Sequence, residues 1–150
     1  MRVLITGAAG RLGRMLRAAW ADTAPLGFEP IWSARWADGS NDLAWDILSG
    51  SAPNIAEGAA VLHLAGVLRG HSATLSENAT MALKVCAAAR FAGARHVFLT
   101  SSAAVYGSSF RDHVEVHAPA PCSGYGRAKL AMERAALCWA HDAGSDAPSV

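Results

Sequence analysis

Short apolar runs alternate with stretches of helical periodicity along the chain. The runs at residues 3–6 and 60–65 are apolar on consecutive positions and therefore predict strands that are buried on both faces. Further strands are predicted at residues 30–34, 43–47 and 95–100. Longer stretches predict helices over residues 11–21, 72–91 and 123–141, with Gly93 as the C-cap of the second. In the first helix, helical spacing puts one apolar face on Leu12, Met15, Leu16 and Ala19.

This alternation predicts a single α/β domain over residues 1–150. Strands that are buried on both faces and joined by helices form a parallel sheet with helices on both sides. Right-handed crossovers favour the doubly wound strand order 3-2-1-4-5. Residues 144–150 read as a loop leading toward a further strand, so we expect a chain that is truncated before strand six.

Composition and charge exclude several classes of protein. The sequence is 52% hydrophobic and 17% charged, which is unlike a disordered tail. A net charge of +1 and the lack of any run of 18 apolar residues give no reason to expect nucleic acid or a membrane as a partner. The three cysteines have no CxxC spacing, which indicates neither a zinc site nor a disulfide framework. We therefore expect a cytoplasmic protein without a bound metal.

Three glycines link the first predicted strand to the first helix. Gly7 permits a tight turn, Gly10 lets backbone N–H groups approach a pyrophosphate, and Gly13 lets the helix pack closely on the strand. The helix start, at Arg11 and Leu12, adds free N–H groups and the positive end of the helix dipole. A glycine loop between a strand and a helix is the context of a Rossmann-type dinucleotide site. The alternative is an ordinary glycine-rich turn.

The GxxGxxG spacing of these glycines resembles the short-chain dehydrogenase/reductase superfamily. In such folds an acid after the second strand selects NAD, whereas an arginine accommodates the 2′-phosphate of NADP. Counting from Gly13 gives Ser33, followed by Arg35, and the nearest acid, Asp38, lies beyond the expected strand end. The expected cofactor is therefore NAD or NADP, with NADP favoured; the alternative reading makes Arg35 a solvated loop residue.

Two further segments resemble cofactor-binding positions of the superfamily. Asp46, followed by Ile47, stands where the family uses an aspartate to hydrogen-bond the adenine amino group. The alternative is an aspartate at the strand end that caps the next turn. Ala65 and Gly66 resemble the small residues that pass beside the cofactor after the fourth strand, and Leu64 before them is also expected to line the cofactor site.

Tyr125 and Lys129 form a YxxxK pattern in the third predicted helix. Residues four apart share a helix face, so the phenol and the ammonium can reach one ligand. A free phenol keeps its proton until about pH 10, and a nearby ammonium stabilises the phenolate. The pair therefore suits proton transfer at a dinucleotide site. The alternative is a tyrosine at a helix start and an exposed lysine.

The run TSSAAVYG at residues 100–107 precedes this pair. Together they resemble the SSxxVYG…YGxxK signature of extended family members, of the NAD-dependent epimerase/dehydratase type, such as UDP-galactose 4-epimerase. The resemblance implies that Ser102 hydrogen-bonds the reacting substrate oxygen, with Ser101 as a structural neighbour. It also implies that Tyr125 moves the proton and that Lys129 holds the nicotinamide ribose and tunes the tyrosine.

Two more polar residues have an expected role. Asn78 matches the helix asparagine that supports the catalytic site in these enzymes, and the alternative is a polar residue near the solvent face. His63 lies in the middle of the fourth strand, where a satisfied core histidine is a better expectation than a catalyst.

The resemblance implies an NAD(P)-dependent oxidoreductase or epimerase that transfers a hydride to or from a nucleotide sugar or a related hydroxyl or carbonyl substrate. Dehydratases of this branch place acids where Ala103 and Ala104 stand, which disfavours that reaction. Extended members continue into further strands and a small substrate domain, which we expect to be absent here. The expected partner is a small molecule, and a homodimer is left open. The alternative function is an inactive dinucleotide-binding module or fragment.

Overall fold

The apolar runs pair side by side as parallel strands, and helices connect them. The computed structural model describes residues 1–23, 25–36, 42–108, 112–144 and 147–150. In chain order its elements are β1 (Arg2–Thr6), α1 (Arg11–Thr23), β2 (Glu29–Ala34), β3 (Leu43–Ala44), β4 (Ala60–His63), α2 (Ser72–Phe91), β5 (His96–Leu99), a 3₁₀ helix (Ala103–Tyr106) and α3 (Gly124–Ala143).

The sheet has the order β3-β2-β1-β4-β5, and every described pair is parallel, which confirms the predicted doubly wound arrangement. The central strand is β1, where Thr6 stands in register with Ser33 of β2 and His63 of β4. Because all strands run the same way, their carboxyl ends meet at one edge. The order reverses at β1, and ligands of such sheets bind in the crevice outside that switch point.

Buried side chains form one cluster on each face of the sheet. Beneath α2 and α3, the first cluster contains Leu4 and Val61. The second lies beneath α1 and contains Ile5 and Trp32, with Trp20 of α1 packed against it. Alternate residues of one strand thus enter opposite clusters, as the geometry of a pleated strand requires.

One edge of the sheet departs from the expectation of strands buried on both faces. Phe98 of β5 stands in register with Leu62 of β4, on the face that carries α1, and is 57% exposed. Its neighbour Val97, on the opposite face beneath α2, is 2% exposed. The expectation is therefore wrong for β5, because the cluster beneath α1 contains residues of β1, β2 and β4 and does not extend to this edge.

The prediction of which α1 residues form its buried apolar face is also wrong. Leu12, Met15 and Ala19 are exposed, whereas Leu16 and Trp20 pack against the sheet. The first turn of α1 stands over the carboxyl edge of the sheet rather than over its face. Apolar side chains there line a cleft instead of the core.

The end of α2 has the predicted glycine cap. Gly93 has a φ of +68°, and its N–H donates to the carbonyl of Arg90 at 3.0 Å. The next N–H, of Ala94, donates to the carbonyl of Ala89 at 2.9 Å. These two bonds are the Schellman arrangement, which satisfies carbonyls at a helix end.

The last described residues run along the free edge of β5. Ser149 forms a parallel bridge with His96, its N–H donates to the carbonyl of Arg95 at 3.0 Å, and its carbonyl accepts from Val97 at 2.8 Å. A sixth strand of a doubly wound sheet would lie here, as the sequence of this segment indicates. Asp38, which enters the prediction of cofactor preference, lies outside the described residues.

Candidate active site

A cleft of 640 Å³ opens at the carboxyl edge of the sheet and collects most of the predicted site residues. Those that line it are Gly7, Gly10, Arg11, Leu12, Ser33, Arg35, Asp46, Ile47, Leu64, Ala65, Gly66, Tyr125 and Lys129. The lining does not include the predicted residues Gly13, Asn78 and Ser102. Sequence reasoning missed the lining residues Thr6, Ala9, Met15, Ala34, Trp45, Val67, Leu68, Met81, Thr100 and Ser101.

The glycine loop is pressed between β4 and α1. Gly7 has a φ of +74°, and a Cβ built on it would lie 2.5 Å from the backbone nitrogen of Ala65. A Cβ on Gly13 would lie 2.5 Å from the carbonyl oxygen of Gly7. On Gly10, in contrast, the closest atom would be that same oxygen at 3.0 Å. Packing therefore requires Gly7 and Gly13, and Gly10 is the glycine whose bare Cα faces the cleft.

Main-chain hydrogen bonds fix this loop. The N–H of Ala8 donates to the carbonyl of Ser33, and the N–H of Gly10 donates to the carbonyl of Gly7, both at 2.9 Å. The α-helix that follows begins at Arg11, and the first N–H groups of any helix have no intrahelical acceptor. The cradle fits a pyrophosphate, because Gly10 has no side chain to fill the space beside the loop and the helix start supplies donors.

Arg35 and Asp46 lie at the far end of the cleft from α3. The Arg35 Nε is 3.9 Å from Asp46 Oδ1, and Asp46 also accepts from Ser49 Oγ at 2.8 Å and from the N–H of Leu48 at 3.2 Å. The Ser49 hydroxyl, more than Leu48 and Arg35, holds the pKa of Asp46 below its ordinary value. Asp46 thus caps the next turn with its carboxylate, and the residue also lines the cleft.

At the other end, α3 begins beside the 3₁₀ helix. Ser123 caps α3 by accepting from the N–H of Gly126 at 2.9 Å. A Cβ on Gly126 would lie 2.3 Å from the carbonyl oxygen of Ala104. The N–H of that same Ala104 donates to Ser102 Oγ at 3.2 Å. Ala104 therefore contacts both Ser102 and Gly126, the residue after Tyr125. Sequence reasoning missed this close packing of Gly126.

Lys129 is 3% exposed, so the alternative of a solvated lysine is wrong. Its Nζ donates to the carbonyl of Thr100 at 2.9 Å and lies 3.6 Å from Met132 Sδ. Burial lowers the pKa of Lys129, and the charge of Glu133 opposes that effect. The side chain is thus a buried cation with its head at the cleft wall.

Asn78 is 1% exposed, which rules out its reading as a residue near the solvent face. Its Oδ1 accepts from the N–H of Val67 at 3.0 Å, and its Nδ2 donates to the carbonyls of Val67 at 3.0 Å and Leu75 at 2.8 Å. A Cβ on Gly66 would lie 3.0 Å from Asn78 Oδ1 and 3.5 Å from Lys129 Nζ. Asn78 therefore holds the segment after β4 from behind the cleft.

His63 is a core histidine, as predicted, at 1% exposure. Its Nδ1 lies 2.7 Å from Thr6 Oγ1, so the two share a hydrogen bond. Its Nε2 has no partner among the described residues, which corrects the expectation of a satisfied side chain. Burial, and then the charge of Lys129, lower the pKa of His63 to about 4. The ring is therefore neutral at physiological pH.

Other features of the described residues bear on the class of protein. None of their helices is long and apolar enough to cross a membrane. No group of three or more His, Cys, Asp or Glu side chains in the described ranges gathers as a metal site would. The three cysteines are free.

The strand order, the glycine loop at the switch point and the cleft outside it define a Rossmann-type α/β protein. The family model of the NAD-dependent epimerase/dehydratase family matches residues 3–150, and the chain belongs to that family. No curated protein matches the chain.

Solved structures show the same fold at low sequence identity. MoeE5 in complex with UDP-glucuronic acid and NAD is 28% identical, with a TM-score of 0.79 over 99% of this chain and 52% of that chain. A short-chain dehydrogenase/reductase superfamily protein from Agrobacterium tumefaciens with bound NAD is 25% identical, with a TM-score of 0.76 over 100% and 48%. UDP-N-acetylglucosamine 4-epimerase from Bacillus cereus is 21% identical, with a TM-score of 0.72 over 96% and 52%. The chain spans about half the length of these proteins.

Proposed function

We propose that this chain carries the cofactor site and the acid/base residues of an NAD(P)-dependent enzyme that oxidises a hydroxyl-bearing carbon of a nucleotide sugar, as a dehydrogenase or an epimerase. The observation that carries this proposal is one cleft lined both by the glycine loop and by the Tyr125–Lys129 pair. Family membership supports it, and so does the solved complex of MoeE5 with UDP-glucuronic acid and NAD.

Three parts of the cleft are suited to hold the dinucleotide. The glycine loop and the start of α1 provide backbone donors for its pyrophosphate. Asp46 provides a carboxylate for an adenine amino group, and Ala65 and Gly66 provide a wall of small residues beside Lys129. When bound, the nicotinamide ring of such a cofactor accepts a hydride from the substrate carbon or returns it.

The residues of α3 and of the loop after β5 supply the proton chemistry. Tyr125 takes the proton of the substrate hydroxyl during oxidation and returns it during reduction. The ammonium of Lys129 stabilises the phenolate and binds ribose hydroxyls. Ser102 Oγ accepts from Ala104, so its own proton is left to donate to the substrate oxygen. In the described structure the Ser101 hydroxyl donates to Glu133 instead, which supports Ser102 as the reacting serine.

Arg35 favours NADP within this proposal. It follows directly after β2, lines the cleft and is half exposed, so its guanidinium can accept a 2′-phosphate. Ala34 and Trp36 flank it, and neither provides the carboxylate that would bind the hydroxyls of NAD.

The free cysteines fit a reducing, cytoplasmic setting.

The test is cofactor titration followed by turnover. We expect NAD(H) or NADP(H) to bind, and the protein to convert one member of a panel of UDP-glucose, UDP-glucuronic acid and UDP-N-acetylglucosamine, detected by absorbance of the reduced cofactor or by NMR of the sugar. Removing a phenol that acts as general acid/base costs about 10²–10⁴-fold in kcat. Tyr125→Phe should show that loss with cofactor affinity retained.

Tyr106→Phe is the matched control, because it removes the other phenol of the chain. Full turnover in Tyr125→Phe contradicts the acid/base assignment. Tight cofactor binding without conversion of any sugar nucleotide instead supports the dinucleotide-binding module.

A further inference from the structure

Three consecutive residues after β5 are each held by a different bond. The carbonyl of Thr100 accepts from Lys129 Nζ at 2.9 Å, and the Ser101 hydroxyl donates to the carboxylate of Glu133. Ser102 caps the 3₁₀ helix that begins at the next residue. Two of these three bonds come from side chains of α3.

The α3 residues concerned are spaced by four. Tyr125, Lys129 and Glu133 therefore lie on one helix face, and this face packs toward the loop after β5. Glu133 is one turn beyond Lys129 and is partly buried. Its carboxylate is thus joined to Ser101 and close enough to Lys129 to raise the pKa of that ammonium.

The other surroundings of Lys129 offer no competing negative charge among the described residues. From β4 it meets His63, which is neutral; from α2 it meets the amide of Asn78 across Gly66; from the residue after β5 it meets the carbonyl of Thr100. Among the described residues, Glu133 is the carboxylate whose charge acts to raise the pKa of Lys129.

Resting on the proposed function, we propose that Glu133 is a positioning residue of this site. Its carboxylate is held by Ser101, serves as the counter-charge of the buried Lys129, and fastens the segment that carries Ser102 to the helix that carries Tyr125. The Ser101 bond keeps the carboxylate turned toward that segment, so the two roles depend on each other.

The test uses the fact that the chain has two lysines, Lys84 and Lys129. In a Lys84→Arg background, NMR of ¹³Cε-labelled lysine follows the titration of Lys129 alone. Glu133→Gln keeps an acceptor for Ser101 and removes the charge, so we expect the Lys129 midpoint to fall. Ser101→Ala should lower the Lys129 midpoint by a smaller amount. In the Glu133→Gln protein, the same substitution should cause no further shift of that midpoint. The exposed Glu57→Gln is the control and should leave the midpoint where it is.

An unmoved midpoint in Glu133→Gln overturns the proposal, as does a Ser101→Ala shift that is equal with and without Glu133. In turnover, Glu133→Gln should lower kcat about tenfold with the KM for the sugar within about twofold, as for a residue that acts through the acid/base group. A titration that follows the expected pattern in a protein that converts no nucleotide sugar contradicts the proposed function alone.

Discussion

The two ends of the cleft are built by different means. At the glycine loop, backbone packs directly against backbone, and there is no room for a side chain at Gly7 or Gly13. At α3, buried polar side chains do the holding: Asn78, His63 and Lys129 each bond to main chain or to a side chain under the cleft. Substitutions in the glycine loop should therefore destabilise the protein through steric clashes. Substitutions at the α3 end should destabilise it by leaving buried polar or charged groups without partners.

The largest effect is expected at Gly7. In Gly7→Ala the new Cβ meets the backbone of Ala65 at a positive φ, and overpacking with left-handed strain costs about 4 kcal/mol of unfolding free energy. Urea denaturation of the protein measures it. Gly10→Ala is the matched variant and should cost about 1 kcal/mol while weakening cofactor binding more than tenfold. Equal losses of stability in the two variants would show that packing does not distinguish them.

A smaller effect, which belongs to the α3 end, depends on pH. His63 is neutral when folded, with a pKa of about 4 against 6.5 in the unfolded chain, so the unfolded state binds a proton that the folded state does not. Stability should fall as the pH drops from about 6.5 to about 4, by about 3 kcal/mol from this residue. Urea denaturation at a series of pH values checks this expectation.

His63→Asn should flatten that acid limb, whereas His71→Gln should leave it intact, because His71 is exposed and makes no capping bond with its side chain. If wild type and His63→Asn lose stability in parallel over this range, the burial of a neutral His63 is not the cause.

The smallest effect is expected at the cofactor end without any change in folding. Arg35→Gln removes the cation beside Asp46 and should raise the Kd for NADP(H) about tenfold, with the Kd for NAD(H) within about twofold. Isothermal titration measures both constants. Arg14→Gln, which changes an exposed arginine of α1, is the control. An equal loss of affinity for both cofactors would show that Arg35 attracts them by its charge alone and does not recognise the 2′-phosphate.

The same contrast explains which parts of the molecule the sequence predicts. The strand order and the glycine loop follow from local patterns, because the spacing of Gly7, Gly10 and Gly13 within seven residues already contains the turn and the helix start. The Tyr125–Lys129 pair follows from helical spacing in the same way. Local patterns failed where a neighbour decides: Leu12 and Met15 fit a core stripe, yet they stand over the cleft.

Contacts between distant segments leave no local trace. Glu133 lies four residues after Lys129, which places it on the right helix face, but its partner Ser101 is 32 residues away. His63 Nε2, which has no partner in the part of the chain that the structure describes, depends likewise on which groups other elements bring near it. Such features require the assembled fold.

The central position of β1 also bears on the order in which the chain can fold during synthesis. Residues 2–6 are synthesised before both of their partners, which are residues 29–34 on one side and 60–63 on the other. Parallel pairing of this kind waits for a crossover to be completed, and each crossover adds contacts of long sequence separation. β1 therefore reaches its full complement of backbone partners only when β4 has left the exit tunnel.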